Sequence, residues 1–221
     1  MNGLASQVSG WFFVAAAALT WLGWFLLPAK PGAFFAADDF TRIRTRYSAW
    51  IWLYRFHIFG YVITLMAAAA LAVRIDGAAR ALAWPGLAVL AAGALVSALG
   101  AAFYYHMGAW GAMDVGKQTG NAASAFLPPL QVATHYATCL VRFGRVFFGL
   151  GQVVLAAGLI VDGTLPLWIA VAAAVLGLAA MGVTMLLPDE LERYRPIFHL
   201  NAAWMAALGI VLLLAGSGAG T

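Results

Sequence analysis

The chain is poor in charged residues. Only 9% of its 221 residues are Asp, Glu, Lys or Arg, whereas an ordinary soluble domain has roughly 25%. So few charges do not cover a water-exposed surface, and 64% of the residues are hydrophobic. The composition therefore predicts an integral membrane protein. The basic residues form no solvated run, so we do not expect binding to nucleic acid.

Cysteine and the common catalytic motifs are almost absent. The single Cys139 excludes a disulfide framework within the chain and a cysteine-based metal site. We expect it to be an inert, small apolar residue. The sequence has no P-loop, no GxGxxG, no G-x-S-x-G and no HExxH, so nucleotide binding and the commoner hydrolase mechanisms have no support. Functional residues must therefore lie scattered among the apolar segments.

Long apolar segments are what the sequence does contain. A hydrocarbon layer about 30 Å thick needs around 20 helical residues per crossing, and six segments of about that length occur along the chain. The sequence therefore predicts an all-α polytopic membrane protein, a bundle of about six transmembrane helices that forms a single domain over residues 1–221. The predicted spans are 9–28, 50–73, 81–105, 131–161, 166–187 and 196–215.

Lys and Arg are distributed unequally between the two faces that these spans define. Six crossings place the connections 29–49, 106–130 and 188–195 on one face, and the turns 74–80 and 162–165 on the other with both termini. Counted over connections and adjoining helix ends, ten basic residues lie on the first face and two on the second. The positive-inside rule makes the first face cytoplasmic. We therefore expect an inner-membrane protein with both termini outside.

The four histidines all fall near the predicted cytoplasmic face. His57 and His135 stand near the starts of the second and fourth spans, His106 at the end of the third, and His199 near the start of the sixth. Ionisable residues are costly within membrane segments, which makes them candidates for function. Imidazole is also the commonest metal ligand. Two imidazoles from different helices can supply both axial ligands of a haem in a bundle core.

The histidine layer predicts a b-type haem and a role in electron transfer. His57 and His199 are the preferred ligands because they lie just inside the apolar patterns RFHIFGYVITLM and IFHLNAAWM. His135 and His106 come next, and both also suit a solvated interface. Arginines at interfacial depth are candidate partners of the haem propionates through forked hydrogen bonds, although arginines there also serve as headgroup and topology residues. They are Arg55, Arg142 and Arg145.

Helical periodicity assigns several of these side chains to faces. At 100° per residue, Arg55 and His57 point about 160° apart. We expect His57 to face inward and Arg55 to extend toward the headgroups, because Arg has the longer apolar stem. His135 and Arg142 share one stripe, whereas Arg145 lies about 80° away from it.

Two alternative functions use the same layer. A zinc or di-iron enzyme would combine the histidines with carboxylates and activate water or oxygen at the metal. The paired ligands typical of such sites, H-x-x-H or HExxH, do not occur. Asp114 is a candidate because its predicted glycine-rich loop is long enough to cover the mouth of the bundle. The other candidate carboxylates are those of the connector PDELERYRP, namely Asp189, Glu190 and Glu192.

The second alternative involves no metal. Arg, Tyr and Trp side chains in the same layer suit an anionic lipid headgroup or a quinone, as in a lipid-handling protein or an accessory subunit of a respiratory assembly. The spans are also rich in alanine and glycine. This composition indicates close helix packing, either within the chain or between copies in a homo-oligomer.

Overall fold

Helices make up almost all of the protein. The computed structural model describes residues 2–26, 37–117, 121–187 and 191–217, and no strand occurs among them. Six of the helices contain a segment long and apolar enough to cross a membrane, which confirms the predicted all-α polytopic membrane bundle. The helices are α1 (Asn2–Phe25), α2 (Ala37–Thr45), α3 (Tyr47–Arg74), α4 (Arg80–Lys117), α5 (Asn121–Asp162), α6 (Leu167–Leu186) and α7 (Leu191–Ser217). A turn of 3₁₀ helix, Gly77–Ala79, joins α3 to α4.

Several helices extend beyond the predicted spans. The predicted loop 106–130 is wrong over most of its length, because α4 continues to Lys117 and α5 already begins at Asn121. Asp114 therefore lies on α4, not in a loop over the bundle mouth. A helix that has formed propagates through residues of lower hydropathy, so hydropathy marks only its apolar part. Residues 27 and 28 of the first predicted span lie outside the described residues.

A short amphipathic helix occupies part of the predicted connection 29–49. In α2, Phe40 and Ile43 are buried, whereas Arg42 and Arg44 are exposed. Its apolar side packs on α3 and α4. The sequence predicts only a connection here, because nine residues with two buried side chains give too little periodicity to detect.

The six long helices form a closed ring. From α3 to α7, each helix packs against the next along the chain, and α1 closes the ring by packing against both α3 and α7. Large apolar side chains fill the interior, including Phe13 of α1, Leu71 of α3, Leu155 of α5 and Leu208 of α7, all fully buried. Every long helix therefore has two neighbours and a lipid-facing side.

Glycines let α4 and α5 approach to backbone contact. A Cβ on Gly151 would lie 2.3 Å from the backbone nitrogen of Leu90, and one on Gly93 would lie 2.4 Å from that of Phe148. In lipid, such small residues promote helix association by van der Waals packing. The glycines recur every seven residues, which keeps each set on one face: Gly86, Gly93 and Gly100 on α4, and Gly144, Gly151 and Gly158 on α5. The predicted close packing is thus confirmed within the chain.

Polar contacts join three parts of the chain at one end of the bundle. Arg74 Nη1 lies 3.6 Å from Asp162 Oδ2. The same guanidinium donates from Nε to Ser6 Oγ at 3.1 Å and from Nη2 to Thr164 Oγ1 at 2.6 Å. The α5–α6 turn follows at Gly163, whose φ of 63° is in the left-handed region that glycine adopts without strain. These contacts connect α1, α3 and the turn, and we call this end the Arg74 end.

Candidate functional site

The four histidines lie in the half of the bundle opposite the Arg74 end. His57 of α3 and His199 of α7 both pack against the last turns of α1. Tyr104 of α4 and Thr138 of α5 form a 2.7 Å hydrogen bond through their hydroxyl groups. His106 lies two residues after Tyr104, and His135 lies three residues before Thr138. Along α3, His57 is about 26 Å from Arg74, which is most of the thickness of a hydrocarbon layer. We call this half the histidine half.

His57 faces into the bundle and Arg55 is exposed, as expected from their opposite directions and the longer stem of Arg. The His57 ring lies 6.3 Å from that of Tyr54 and 5.8 Å from that of Phe198, both nearly edge-on. Gly23 of α1 gives the imidazole room, since a Cβ there would be 2.9 Å from His57 Nε2. Nε2 is buried and has no hydrogen-bond partner within the described part of the chain. A buried polar atom without a hydrogen bond lowers the stability of the folded protein. His57 is therefore the first candidate for binding a ligand.

His199 shares aromatic neighbours with His57. We call this set the aromatic cluster, and it consists of Trp24, Tyr54, His57, Phe198 and His199. The His199 ring is 5.3 Å from that of Trp24 and 6.3 Å from that of Phe198. Phe198 contacts the rings of both histidines and also lies 4.9 Å from Trp24. The indole nitrogen Nε1 of Trp24 is buried and likewise has no hydrogen-bond partner among the described residues. The cluster therefore contains two unsatisfied polar atoms, His57 Nε2 and Trp24 Nε1.

His106 and His135 are exposed on the outside of the bundle. The His106 ring lies 5.7 Å from that of Trp110, one turn further along α4, an arrangement typical of an aromatic belt at a membrane surface. The structure thus brings together His57 and His199 and leaves the other two histidines apart. Within the described ranges, no three His, Cys, Asp or Glu side chains are grouped so that they could hold a metal ion.

The carboxylates predicted as metal ligands do not form a metal site with the histidines within the described residues. Asp114 is exposed on α4. Asp189 and Glu190 lie outside the described residues, as does the side chain of Glu192. The zinc or di-iron alternative therefore gains no support from the described part of the chain.

Two of the three candidate arginines contact groups outside the aromatic cluster around His57 and His199. Arg55 is exposed, with its guanidinium 5.1 Å from the centre of the Trp52 ring. Arg142 Nη2 donates to the carbonyl oxygen of Thr184 at 2.6 Å. Thr184 lies in the last turn of α6, where carbonyl groups lack partners within the helix and cations are favoured. Arg142 is thus a cap for α6.

Arg145 is the candidate arginine directed into the bundle. Its guanidinium carbon lies 4.3 Å from the centre of the Tyr194 ring, and its charge also acts on Tyr61 of α3. Tyr61 in turn is hydrogen-bonded to Ser97 of α4. Side chains of α3, α4, α5 and α7 therefore meet around one cation.

Polar residues continue from Arg145 toward the middle of the bundle. Gln152 Nε2 of α5 donates to Asn201 Oδ1 of α7 at 2.7 Å, and both side chains are buried. Gln152 Oε1 is buried and has no partner among the described residues. The hydroxyl of Thr64 on α3 contacts the sulfur of Met205 on α7 at 3.9 Å. These contacts cross the interior of the ring.

Helical spacing explains why these polar residues align. Positions separated by seven lie on one face of a helix. Each of the three helices has one such pair, and Tyr61 lies one turn from His57 on the same face of α3. We call the resulting set the interior seam, and it consists of His57, Tyr61 and Thr64 on α3, Arg145 and Gln152 on α5, and Tyr194 and Asn201 on α7. Toward the Arg74 end, the fully buried side chains include Leu71, Leu155 and Leu212.

Most of the interior seam was not predicted from the sequence. The residues considered there were histidines, arginines and carboxylates, whereas Tyr61, Gln152 and Asn201 lie in otherwise apolar runs. The detectable feature was a lone amide in each of two spans, in GLGQVVLAAG and FHLNAAW. Polar side chains at such positions need partners on other helices.

Comparison with known proteins gives no relative. No protein-family model matches the chain, no curated protein matches it, and no solved structure matches it. Function must therefore be inferred from the residues of the chain itself.

Proposed function

We propose that the protein binds a b-type haem in its histidine half and takes part in electron transfer within the membrane. The observation that carries the proposal is the buried Nε2 atom of His57, which has no hydrogen-bond partner among the described residues. Neutral imidazole is a haem-iron ligand. Apolar aromatic surroundings like those of His57 suit a porphyrin, and the haem would supply a one-electron iron couple.

The neighbouring residues have distinct roles in this proposal. His199 is the candidate for a second haem-binding histidine, because it belongs to the same aromatic cluster. Arg145 is the candidate propionate partner, whereas Arg55 and Arg142 have the contacts described above. Because His57 Nε2 is packed against Gly23, binding would require the His57 ring to turn.

Absorption spectra of the detergent-purified protein, oxidised and then reduced with dithionite, test the proposal. Protein expressed with adequate haem supply should show a Soret band and sharp reduced α and β bands. His57→Ala should lose them, and His106→Ala is the matched control, because it removes an exposed histidine from the same half. A flat visible spectrum for the wild-type protein would contradict haem binding.

His199→Ala distinguishes one axial histidine from two. If His199 is the second ligand, its removal should leave a bound haem that has lost the sharp six-coordinate spectrum. His135→Ala, at an exposed position, should leave the spectrum unchanged. A His199→Ala spectrum identical to that of the wild type would remove His199 from the ligand set and leave His57 in place.

We further propose that the protein lies in the inner membrane of a bacterium-like cell, with the histidine half toward the cytoplasm and both termini outside. The support is the ten-to-two distribution of Lys and Arg between the two predicted faces. Exposed apolar side chains around the ring, such as Trp168, Leu178 and Leu214, contact lipid. A quinone or a partner subunit would exchange electrons with the haem.

A cofactor-free quinone- or lipid-binding protein is the second candidate. The observation that favours it is the position of Arg145, inside the ring and against Tyr194, because a cation in a membrane interior is usually retained for function. This candidate predicts a colourless protein whose binding of a quinone or lipid depends on Arg145 and is unaffected by His57→Ala.

A further inference from the structure

We infer that the part of the interior seam around Tyr61, Arg145 and Gln152 binds the head group of a membrane quinone. The inference rests on the proposed function only for its choice of a redox-active ligand, namely the partner that would exchange electrons with the haem. The site itself consists of Tyr61 of α3, Ser97 of α4, and Arg145 and Gln152 of α5. Arg145 is the one residue that it shares with the proposed haem site.

The position of the seam in the ring is the first support for this site. Tyr61 and Arg145 interact across the interior, and Gln152 lies two helical turns from Arg145 on the same face of α5. Gln152 is fully buried. Along α5 it is about 15 Å from Asp162 at the Arg74 end, which places it near the middle of a 30 Å hydrocarbon layer. A ligand held here lies at a depth where the apolar tail of a quinone is also soluble.

The chemistry of the available groups is the second support. A guanidinium carries five N–H donors, so Arg145 is able to donate to a ligand in addition to its contacts within the protein. When Ser97 donates to the Tyr61 oxygen, the Tyr61 hydroxyl keeps its own proton for a ligand. Both residues therefore offer donors to a quinone carbonyl oxygen, which only accepts.

Gln152 supplies the complementary group. Its Nε2 is used by Asn201, but its Oε1 is buried and has no partner in the described ranges. A quinol hydroxyl donates a proton and would satisfy that oxygen, whereas a carboxylate or phosphate head group has only acceptors and would be repelled by it. Donors at Arg145 and Tyr61 together with a free acceptor at Gln152 thus fit both redox forms of a quinone better than an anionic lipid.

The apolar side chains that follow the seam are the third support. Beyond Gln152 toward the Arg74 end, the interior side chains Leu155 and Leu212 are fully buried and apolar. A head group held at Gln152 therefore has these apolar side chains on its side toward the Arg74 end. The haem is proposed in the histidine half, so a bound quinone would lie on the same side of these apolar side chains as the haem.

Calorimetric titration of the detergent-purified protein with a decyl-substituted benzoquinone, and separately with its quinol, tests the inference. The wild-type protein should bind one molecule per chain. Gln152→Leu should weaken quinol binding by about tenfold or more and quinone binding by less, because Oε1 accepts only from the quinol. Gln131→Leu is the matched control, since Gln131 is exposed on the same helix, and it should bind both forms like the wild type.

A second variant keeps the test decisive if Gln152→Leu does not fold. Tyr61→Phe retains the ring and removes the donor, so quinone binding should weaken by about threefold to tenfold. Tyr136→Phe, at an exposed tyrosine of α5, should bind like the wild type. Unchanged affinity in Tyr61→Phe, or displacement of the quinone by a long-chain carboxylate at equal concentration, would overturn the inference.

The two proposals fail separately in these experiments. A coloured haem protein that shows no saturable binding of either quinone form contradicts the quinone site alone. A colourless protein that binds the quinone and loses affinity in Tyr61→Phe contradicts the haem proposal and retains the site.

Discussion

The backbone contact between α4 and α5 makes Gly151→Ala a sharp test of the packing. The added Cβ would lie 2.3 Å from the Leu90 nitrogen, 2.6 Å from the Leu90 Cα and 2.7 Å from the Gly86 oxygen. Ordinary van der Waals contact begins at 3.4 Å. All three atoms belong to the backbone of α4 and do not turn aside as a side chain would. The two helices must therefore separate locally by about 1 Å, and overpacking of this kind costs about 1–3 kcal/mol.

Gly182→Ala is the matched control for this substitution. Gly182 is in the interior of α6, and a Cβ there meets no atom within 4 Å. Alanine is favoured over glycine in a helix by about 1 kcal/mol, so we expect this variant to be as stable as the wild type or slightly more stable. The two variants make the same chemical change in two transmembrane helices and differ in what surrounds it.

Unfolding of both variants in mixed micelles with increasing SDS, followed by far-ultraviolet circular dichroism, measures the difference. Gly151→Ala should unfold at a lower SDS fraction, with a loss of about 1–3 kcal/mol in unfolding free energy, and Gly182→Ala should not. Equal stability of the two variants would show that α4 and α5 do not approach to backbone contact, and the packing described above would then be wrong.

Three further predictions concern polar groups. Arg142→Met should lower the unfolding free energy by about 1–3 kcal/mol, because the last turn of α6 loses a charged donor to a carbonyl; Arg142→Lys should lose less, and a fully stable Arg142→Met would contradict the cap. Asp162→Asn removes the ion pair with Arg74 and should lower the unfolding free energy by about 1–3 kcal/mol, a value between those of exposed and of buried ion pairs. The same unfolding assay measures this loss, and an unchanged unfolding free energy would mean that the pair does not stabilise the protein. Cys139 is exposed on α5 about 35 Å from Asp162, beyond a 30 Å hydrocarbon layer. A membrane-impermeant maleimide should therefore label it in inverted vesicles and not in right-side-out ones, and the reverse pattern would contradict the proposed orientation.

The number and type of helices could be predicted from the sequence, because a run of about 20 apolar residues matches the length of a helix that crosses the hydrocarbon layer. The residues at which the helices end could not be predicted in this way. The region 106–130 contains glycines and a proline pair that resemble a loop, yet α4 and α5 together occupy nearly all of it. Nothing in hydropathy distinguishes a helix that projects beyond the apolar layer from a connection. α2 was missed for a related reason, since only packing on α3 and α4 fixes its two buried side chains.

The candidate site was predictable only in part. The spacing of Arg55 and His57 on one helix indicated that they point apart, and the longer stem of Arg indicated that His57 faces inward. The spacing did not show that His57 and His199 both contact Phe198, because that depends on which helices are neighbours. Periodicity within a helix therefore gave orientation but not proximity.

The ring has a consequence for how the protein assembles. Each helix from α3 to α6 meets its later neighbour as soon as that neighbour is synthesised, but one flank of α1 is covered only by α7. Gly10 of α1 and Gly209 of α7 are in backbone contact there, a pairing across almost the entire chain. During translation this flank of α1 therefore contacts lipid or another protein until α7 is inserted into the bilayer. Such long-range closure is slow, so an early-synthesised helix is the part most exposed to mispairing before the ring is complete.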